Sequence, residues 1–354
     1  MKRLVLALLV VSAGCSTWKQ KDFEKELDKP SEEAQPKVVT TKKEEKLLEK
    51  FEVQPVDETK ISKKEATTKK VAPKKIQNTK AVKVSASKTA KTETQIVHAI
   101  KNPPKDYPPE LLAVNAKAKK VWDQYKPNHR VDEKVYLDIH YLGMTVGKIM
   151  AHNKGKKMIN DKEVWHFHAR FKSAPFYSNI YELDDTVDTY VTTDQFLSTR
   201  YSLIQRETKQ DVDDLQLHDR DQYKTFWFYH QKKSDGTVRD RKKEELIPYF
   251  SIDPFSVLFF YQGLPLKDKD IYEIPLINKG KILILHSEVE GREKIKTSNG
   301  SKNSIRVHAT TQYTGETLKS GDLYFWFSDD EKRTLLKAQA KIKIGSVTAD
   351  IVEN

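Results

Sequence analysis

The chain has 354 residues, a net charge of +12 and a single Cys. One Cys excludes intrachain disulfides, and no apolar run after residue 14 approaches the ~18 residues of a membrane-spanning helix. Only three aromatic residues, Trp18, Phe23 and Phe51, precede Tyr107. That asymmetry argues against two equal domains and for one globular domain behind a long arm.

The N-terminus reads Met1-Lys2-Arg3, an apolar stretch from Leu4 to Ala13, then Gly14-Cys15. This is the layout of a secretory signal, removed on export. Val11-Ser12-Ala13-Gly14-Cys15 further resembles a bacterial lipobox, with Ser12 in place of the usual Leu. The resemblance implies that the Cys15 thiol takes a diacylglycerol and that the new N-terminus is acylated, with palmitate or a similar chain. Several acyl chains exceed the two signals that stable anchoring needs. Ser16 stands where an inner-membrane retention signal would carry Asp. By resemblance to the common Gram-negative sorting pattern, the expected location is the outer membrane, facing the periplasm.

The sequence therefore divides into a signal peptide over 1–14, a lipidated Cys with a disordered Lys-rich tether over 15–106, and a β-rich domain over 107–354. The tether is expected to be unfolded because it has too little apolar surface to offset the ordering entropy. Lys60 to Lys91 holds eleven Lys against one acidic residue, Glu65. An anionic envelope polymer such as peptidoglycan is the partner this run suits, and a solvated spacer is the plainer reading. The run lacks interleaved aromatics, so nucleic acid is not a partner.

The globular part opens with a helix from Pro108-Pro109, with Leu111, Val114, Ala118, Val121, Trp122 and Tyr125 along one face. The period then changes to two. Val135, Leu137, Ile139 and Tyr141 alternate with polar residues, and Trp165, Phe167, Ala169 and Phe171 alternate with His166, His168 and Arg170. Further strands are predicted at about 186–191, 200–207, 223–231, 281–290, 305–313, 322–328, 336–344 and 346–352, with Asp235-Gly236 and Asn299-Gly300 as turns. One segment breaks the pattern. Asp253-Pro254 reads as an N-cap and first helical residue, and the following Phe255 to Gln262 is apolar on nearly every side. The expected fold class is mainly β: a curved antiparallel sheet or incomplete β-barrel, with this short helix inside it and the first helix against an edge.

Several motifs resemble the family catalogued as domain of unknown function 3108. They are Tyr141-Leu142-Gly143-Met144-Thr145-Val146-Gly147, Asp253-Pro254-Phe255-Ser256, Gly291-Arg292-Glu293, Trp326-Phe327-Ser328-Asp329-Asp330-Glu331-Lys332-Arg333, and Lys343-Ile344-Gly345-Ser346-Val347. The resemblance spans about 134–352 and implies an exported, mostly β protein without an assigned activity. Each motif also has a structural reading. Gly143 and Gly147 bracket a chain reversal needing positive φ. Ser328 to Glu331 closes a hairpin by side-chain bonds to the backbone, with Arg333 pairing Asp329 or Asp330. No catalytic residue is assigned, because adjacent carboxylates on a hairpin do not face each other as an acid/base pair would.

His166 and His168 share one face of a strand, a spacing that can bind a metal. No Cys or ordered carboxylate motif accompanies them, so no metal site is assigned. Asp184, Asp185 and Asp188 lack the Gly-spaced pattern of a calcium loop and read as an acidic strand entry. No cofactor fingerprint occurs, neither a nucleophile elbow, a phosphate loop nor a dinucleotide motif. The functional expectation is a non-catalytic envelope lipoprotein whose domain holds an apolar ligand, or an envelope protein partner, against Phe255, Phe259, Phe260 and Tyr261. The alternative is a structural tether gripping peptidoglycan, and a hydrolase is remote. Cys15→Ala is expected to leave the precursor unprocessed or to release the protein from membranes. Unchanged membrane retention and mobility on fractionation would remove the lipoprotein reading.

Overall fold

Alternating side chains dominate the chain from Lys134 onward, and the computed structural model gathers them into one antiparallel sheet. It describes residues 27, 35–56, 102–313 and 319–352. The signal peptide, Cys15 and the Lys60 to Lys91 run lie outside the described residues. The helices are α1 (Lys42–Lys50), α2 (Pro109–Trp122), α3 (Pro175–Ser178) and α4 (Val257–Phe260), the last running on into a 3₁₀ turn, Tyr261–Gly263. The strands are β1 (Lys134–Tyr141), β2 (Met144–Ile159), β3 (Lys162–Ser173), β4 (Asp184–Thr192), β5 (Ser198–Glu207), β6 (Gln210–Asp219) and β7 (Lys224–Lys233). They continue with β8 (Val238–Leu246), β9 (Ile271–Asn278), β10 (Lys281–Thr297), β11 (Gly300–Tyr313), β12 (Lys319–Ser328), β13 (Leu335–Lys341) and β14 (Ser346–Val352). Among the described residues no helix is long and apolar enough to cross a membrane.

The 14 strands follow one another in the order β8 to β1, then β14 to β9. β1 pairs with β14 in the middle of the sheet, from Tyr136 opposite Val352 to Tyr141 opposite Val347. The two edges, β8 and β9, are therefore consecutive in sequence, and no ladder joins them. The connection between them turns inward and bridges the seam: Ile252 N donates to Pro275 O at 3.1 Å and Ile277 N to Ile252 O at 2.8 Å. An open, mainly β sheet with an interior helical turn is what the strand reading anticipates. α2 packs against the edge strand β9.

Three strands escaped the sequence reading, each for a physical reason. β6 buries Asp213, Asp214, Gln216, His218 and Asp219 among its apolar residues, so no hydrophobic alternation is visible. β8 carries seven charged residues in a row, Arg239 to Glu245, which discourage an edge strand from pairing with another chain. β9 contains Pro275, which is tolerated at an edge because it removes a ladder donor.

The inner face holds the larger core. Trp122, Phe167, Phe196, Phe250, Phe260, Tyr261, Phe325 and Phe327 all belong to it. A fully buried guanidinium organises the seam segment beneath them. Arg220 Nη1 donates to Pro248 O (3.0 Å), Tyr249 O (3.1 Å) and Ser251 Oγ (2.7 Å), and Nη2 to Ser198 O and Ser251 O, each at 2.8 Å. Asp253, 0% exposed, caps the helical turn next to it. Its Oδ1 accepts from Phe255 N and Ser256 N, while Oδ2 accepts from Thr189 Oγ1 at 2.5 Å, Ser198 Oγ at 2.6 Å and the Ser256 hydroxyl.

The outer face carries a second core, formed largely by the arm. The structure departs here from the tether expected over 15–106. Residues 35–56 pack on the sheet because their apolar side chains find partners on its outer face. Phe51, 1% exposed, inserts among Ile159, Val164, Tyr190, Leu215, Leu217 and Phe228, with Val38, Leu47, Leu48 and Val53 around it. Gln54 exchanges both backbone bonds with Met158, at 2.9 and 2.8 Å. Lys50 Nζ reaches the buried Asp219 at 2.6 Å and Lys242 Nζ reaches Glu44 at 2.6 Å. Leu27 packs with Met150.

Two outcomes are expected. Asp253→Ala strips the common acceptor from three buried hydroxyls and should cost about 3 to 5 kcal/mol, read as a fall in the denaturant midpoint. Phe51→Ala should cost the docked arm about 3 kcal/mol. Amide exchange over Leu47 to Phe51 should then accelerate roughly 100-fold while the β1 and β14 amides stay protected.

Candidate functional site

Period-two alternation on β3 sends Trp165, Phe167 and Ala169 inward and His166 and His168 to the outer face. The antiparallel register places His168 opposite Asp188 and His166 opposite Tyr190 on β4, and these stand opposite Ser202 and Arg200 on β5. Six functional side chains thus share one face of three adjacent strands. Above them lies the arm, which would otherwise leave this patch open to water. Gln35, Pro36, Val53, Gln54 and Pro55 from the arm, with Lys157, His166, Asp188, Tyr190, Arg200 and Ser202 from the sheet, enclose a cavity of about 190 Å³.

Asp188 is the centre of the constellation. Its Oδ1 accepts from His166 Nε2 at 2.6 Å and from His168 Nδ1 at 2.8 Å. Burial by itself would raise this carboxyl. The two imidazole bonds and their charge outweigh it and hold the carboxyl well below the usual carboxylate range. His166 is 2% exposed and His168 4%. Burial pushes the His166 imidazole below its ordinary value against the opposing pull of Asp188, so the neutral ring is favoured. Its ring stacks on Tyr190 with centroids 4.4 Å apart, and its Nδ1 is buried without a hydrogen-bond partner among the described residues. Arg200 ties the site to the arm, donating through Nη1 to Phe51 O at 3.2 Å and through Nη2 to Gln35 Oε1 at 2.8 Å. Lys157 and Arg200 leave the cavity with an excess of positive charge over the one carboxylate, which favours small anionic or polar occupants.

The residues singled out from sequence fall elsewhere. Phe260 and Tyr261 are fully buried, and Phe255 and Phe259 pack against the inner core. Phe259 stacks on Phe167 at 3.9 Å, Phe260 on Tyr125 at 4.8 Å, and the Tyr261 hydroxyl meets Ser287 Oγ at 2.5 Å. Phe260 and Tyr261 lie within the core and Phe255 and Phe259 are half-buried against it, while the cavity lined by His166, Asp188 and Arg200 lies on the opposite face of the sheet from the apolar groove expected around these rings. Gly143, with Leu142, forms the two-residue β1–β2 turn with positive φ. Gly147 instead sits within β2, where a Cβ would lie 2.7 Å from Lys172 O; it serves close strand approach, a correction to its expected turn role.

Two other motifs meet at one end of the sheet. Gly291 marks a bulge in β10. Arg292 next to it donates from Nε to Asp329 Oδ2 at 3.1 Å and also meets Asp268, while Trp326 Nε1 donates to Glu293 Oε1 at 2.6 Å. Arg333 Nη1 reaches the other oxygen of Asp329 at 3.2 Å. Asp330 Oδ1 accepts from Ser328 Oγ and from Lys332 N and Arg333 N, closing the β12–β13 turn. Gly345 turns β13 into β14. The motifs build turns and clamps. Asp188 was read as part of an acidic strand entry and Arg200 was not singled out, since only the strand register shows that both face the histidines.

Buried histidines and Asp188 each weaken the fold in acid, in different pH windows, while Asp185, pushed up by burial to about 7, and Asp214, also raised by burial, act in the opposite sense between about pH 7 and 4. His129 is lowered by burial to about 4, and His166 and His218 are also lowered by burial. The unfolded chain takes up protons on these rings from about pH 6.5 downward while the folded chain resists, so their contribution to stability falls through that window by up to ~1.4 kcal/mol per pH unit and group. The depressed Asp188 adds a loss only below its unfolded value of about 3.9. Urea midpoints of the wild type and of Asp188→Asn should differ by a constant amount at about pH 7.5 and 5, and that difference should shrink at about pH 3.

A protein family described as "Protein of unknown function (DUF3108)" matches residues 137–352. No curated protein matches the sequence. Among solved structures, the chain is similar to a beta-barrel-like protein of the DUF1849 family from Brucella abortus, at 10% identity and a TM-score of 0.40 over 63% of this chain and 96% of that one. It is also similar to a protein from Bacteroides fragilis described as exported with a YmcC-like fold, at 10% identity and a TM-score of 0.29 over 64% and 96% of the two chains. A third, from Parabacteroides distasonis and described as a lipoprotein, has 9% identity and a TM-score of 0.25 over 64% and 95%.

Proposed function

The chain belongs to the DUF3108 family of proteins of unknown function, and on that footing we propose that it is a lipid-anchored envelope protein that binds a small polar or anionic ligand without transforming it. The signal and the lipobox-like Cys15 support export, with diacylglycerol anchoring at the periplasmic face of the outer membrane. One observation carries the binding reading: the arm's own residues 35–56 form a wall of a cavity whose other walls present Arg200, Lys157, His166 and Asp188. A buried guanidinium and carboxylate are costly to hold unless they are paired or serve a bound group. The cavity holds roughly six water volumes at ~30 Å³ each, which suits a small ion or metabolite and is too small for an acyl chain. An apolar ligand is therefore not part of this reading. An envelope protein partner remains compatible with it, through the arm.

The Lys60 to Lys91 run favours a second contribution, in which the same arm contacts acidic cell-wall polymer and couples it to the domain. The binding reading is tested by native mass spectrometry of the full chain extracted from its own envelope. A noncovalent adduct of small mass is expected on the wild type and its loss on Arg200→Ala, with the circular dichroism spectrum of the variant unchanged. No adduct on the wild type, or an adduct kept by a folded Arg200→Ala, would sink it.

A further inference from the structure

We propose that His166, His168 and Asp188 form a binding site for one divalent transition-metal ion, with zinc the natural occupant. Two imidazoles and a carboxylate are a donor set that zinc and its neighbours in the first transition row accept. One ligand atom from each of the three residues lies within 4.8 Å of the others. Zinc bonds of about 2.0 to 2.2 Å in tetrahedral array would put those atoms roughly 3.3 Å apart. The carboxylate oxygen now sits 2.6 and 2.8 Å from the two ring nitrogens, so admitting the ion requires that oxygen to withdraw by less than about 1 Å and the two rings to bring their nitrogens, within 4.8 Å of each other, to the tetrahedral span.

The scaffold supports that geometry. His166 and His168 are two apart on one strand and Asp188 is in register on the next, so all three backbones are fixed by one ladder. The His166 ring is held by its stack on Tyr190. In the metal-free arrangement each imidazole spends its inward N–H on the same carboxylate oxygen. On binding, each proton moves to the other nitrogen of its own ring, leaving the inward lone pair for the metal. At His166 the Nδ1 accepts no hydrogen bond among the described residues and can take the proton without breaking one, and a water in the neighbouring cavity is the acceptor that N–H then requires. His166 and Asp188 also line the cavity, so the fourth position opens onto it and takes water or a small anion. Arg200 and Lys157 there would repel a bare dication, and an anion in the fourth position offsets that repulsion.

This inference shares the cavity with the proposed binding function, but its three ligands can be tested without any envelope ligand. Chelator-treated full chain is titrated with Co²⁺, then Zn²⁺. The expected result is one equivalent of Co²⁺ with visible ligand-field absorption, displaced by Zn²⁺. In ¹⁵N spectra of the wild type, the rings of His166 and His168 alone among the ten histidines should shift with Zn²⁺. His168→Gln and Asp188→Asn should each weaken Co²⁺ binding by roughly 100-fold. If either variant fails to fold, the wild-type ring shifts decide. Absence of ligand-field absorption, shifts at other histidines, or unchanged affinity in both folded variants overturns the site. Cobalt binding without an envelope adduct would leave the metal site standing and remove the binding function, and an adduct without cobalt binding would do the reverse.

Discussion

A buried polar staple governs the rest of this fold. The sheet begins and ends at its own centre, which leaves β8 and β9 as unpaired edges and forces the connection between them across the interior. A connection passing through a core brings backbone polar groups with it, and each must find a partner. Arg220 satisfies four carbonyl acceptors of that kind with one side chain, and Asp253 gathers two amides and three hydroxyls with another. Replacing either charge with an apolar group would orphan several partners at once, so the pair fixes where the segment lies. Once it is fixed, the aromatic turn has one place to pack, with Phe260 and Tyr261 fully buried.

The densest polar constellation lies on the outer face. There the sheet presents histidines, a carboxylate and an arginine in strict register, and the arm supplies the apolar residues that shield them. Neither part makes the site alone. β3 to β5 would display a wet polar patch, and residues 35–56 have too few apolar side chains to fold by themselves. Phe51 ties the two halves together, since its ring fills the outer core while its carbonyl accepts from Arg200. Packing and electrostatics of the site thus act through the same residue.

Much of the architecture was legible from alternation. β1 and β14 could be placed nearly to the residue because each reads apolar, polar, apolar with turn residues at its ends. β6 could not, since Asp214 and His218 are buried for reasons that only their neighbours supply: Lys279 and Trp227 for one, Thr225 for the other. The aromatic run at Phe255 to Tyr261 was visible as a helix needing cover on all sides, but sequence does not say whether such cover is ligand or protein. The pair His166 and His168 was seen to share a face. Its third member was hidden because register is set by long-range pairing, and a shift of one residue would have sent Asp188 to the other side. The docking of 35–56 was least legible, as a lone Phe in a charged segment resembles linker until its socket is known.

That docking sets a leash. If Cys15 carries the proposed lipid, it lies 12 residues from Leu27, which packs with Met150, and at ~3.3 to 3.6 Å per residue a taut span of that length reaches about 40 Å. Were the arm free as far as Tyr107, the same arithmetic would allow roughly 300 Å or more. Release of Phe51 and Leu27 from their sockets would therefore lengthen the range of a domain anchored as proposed several-fold without moving the anchor.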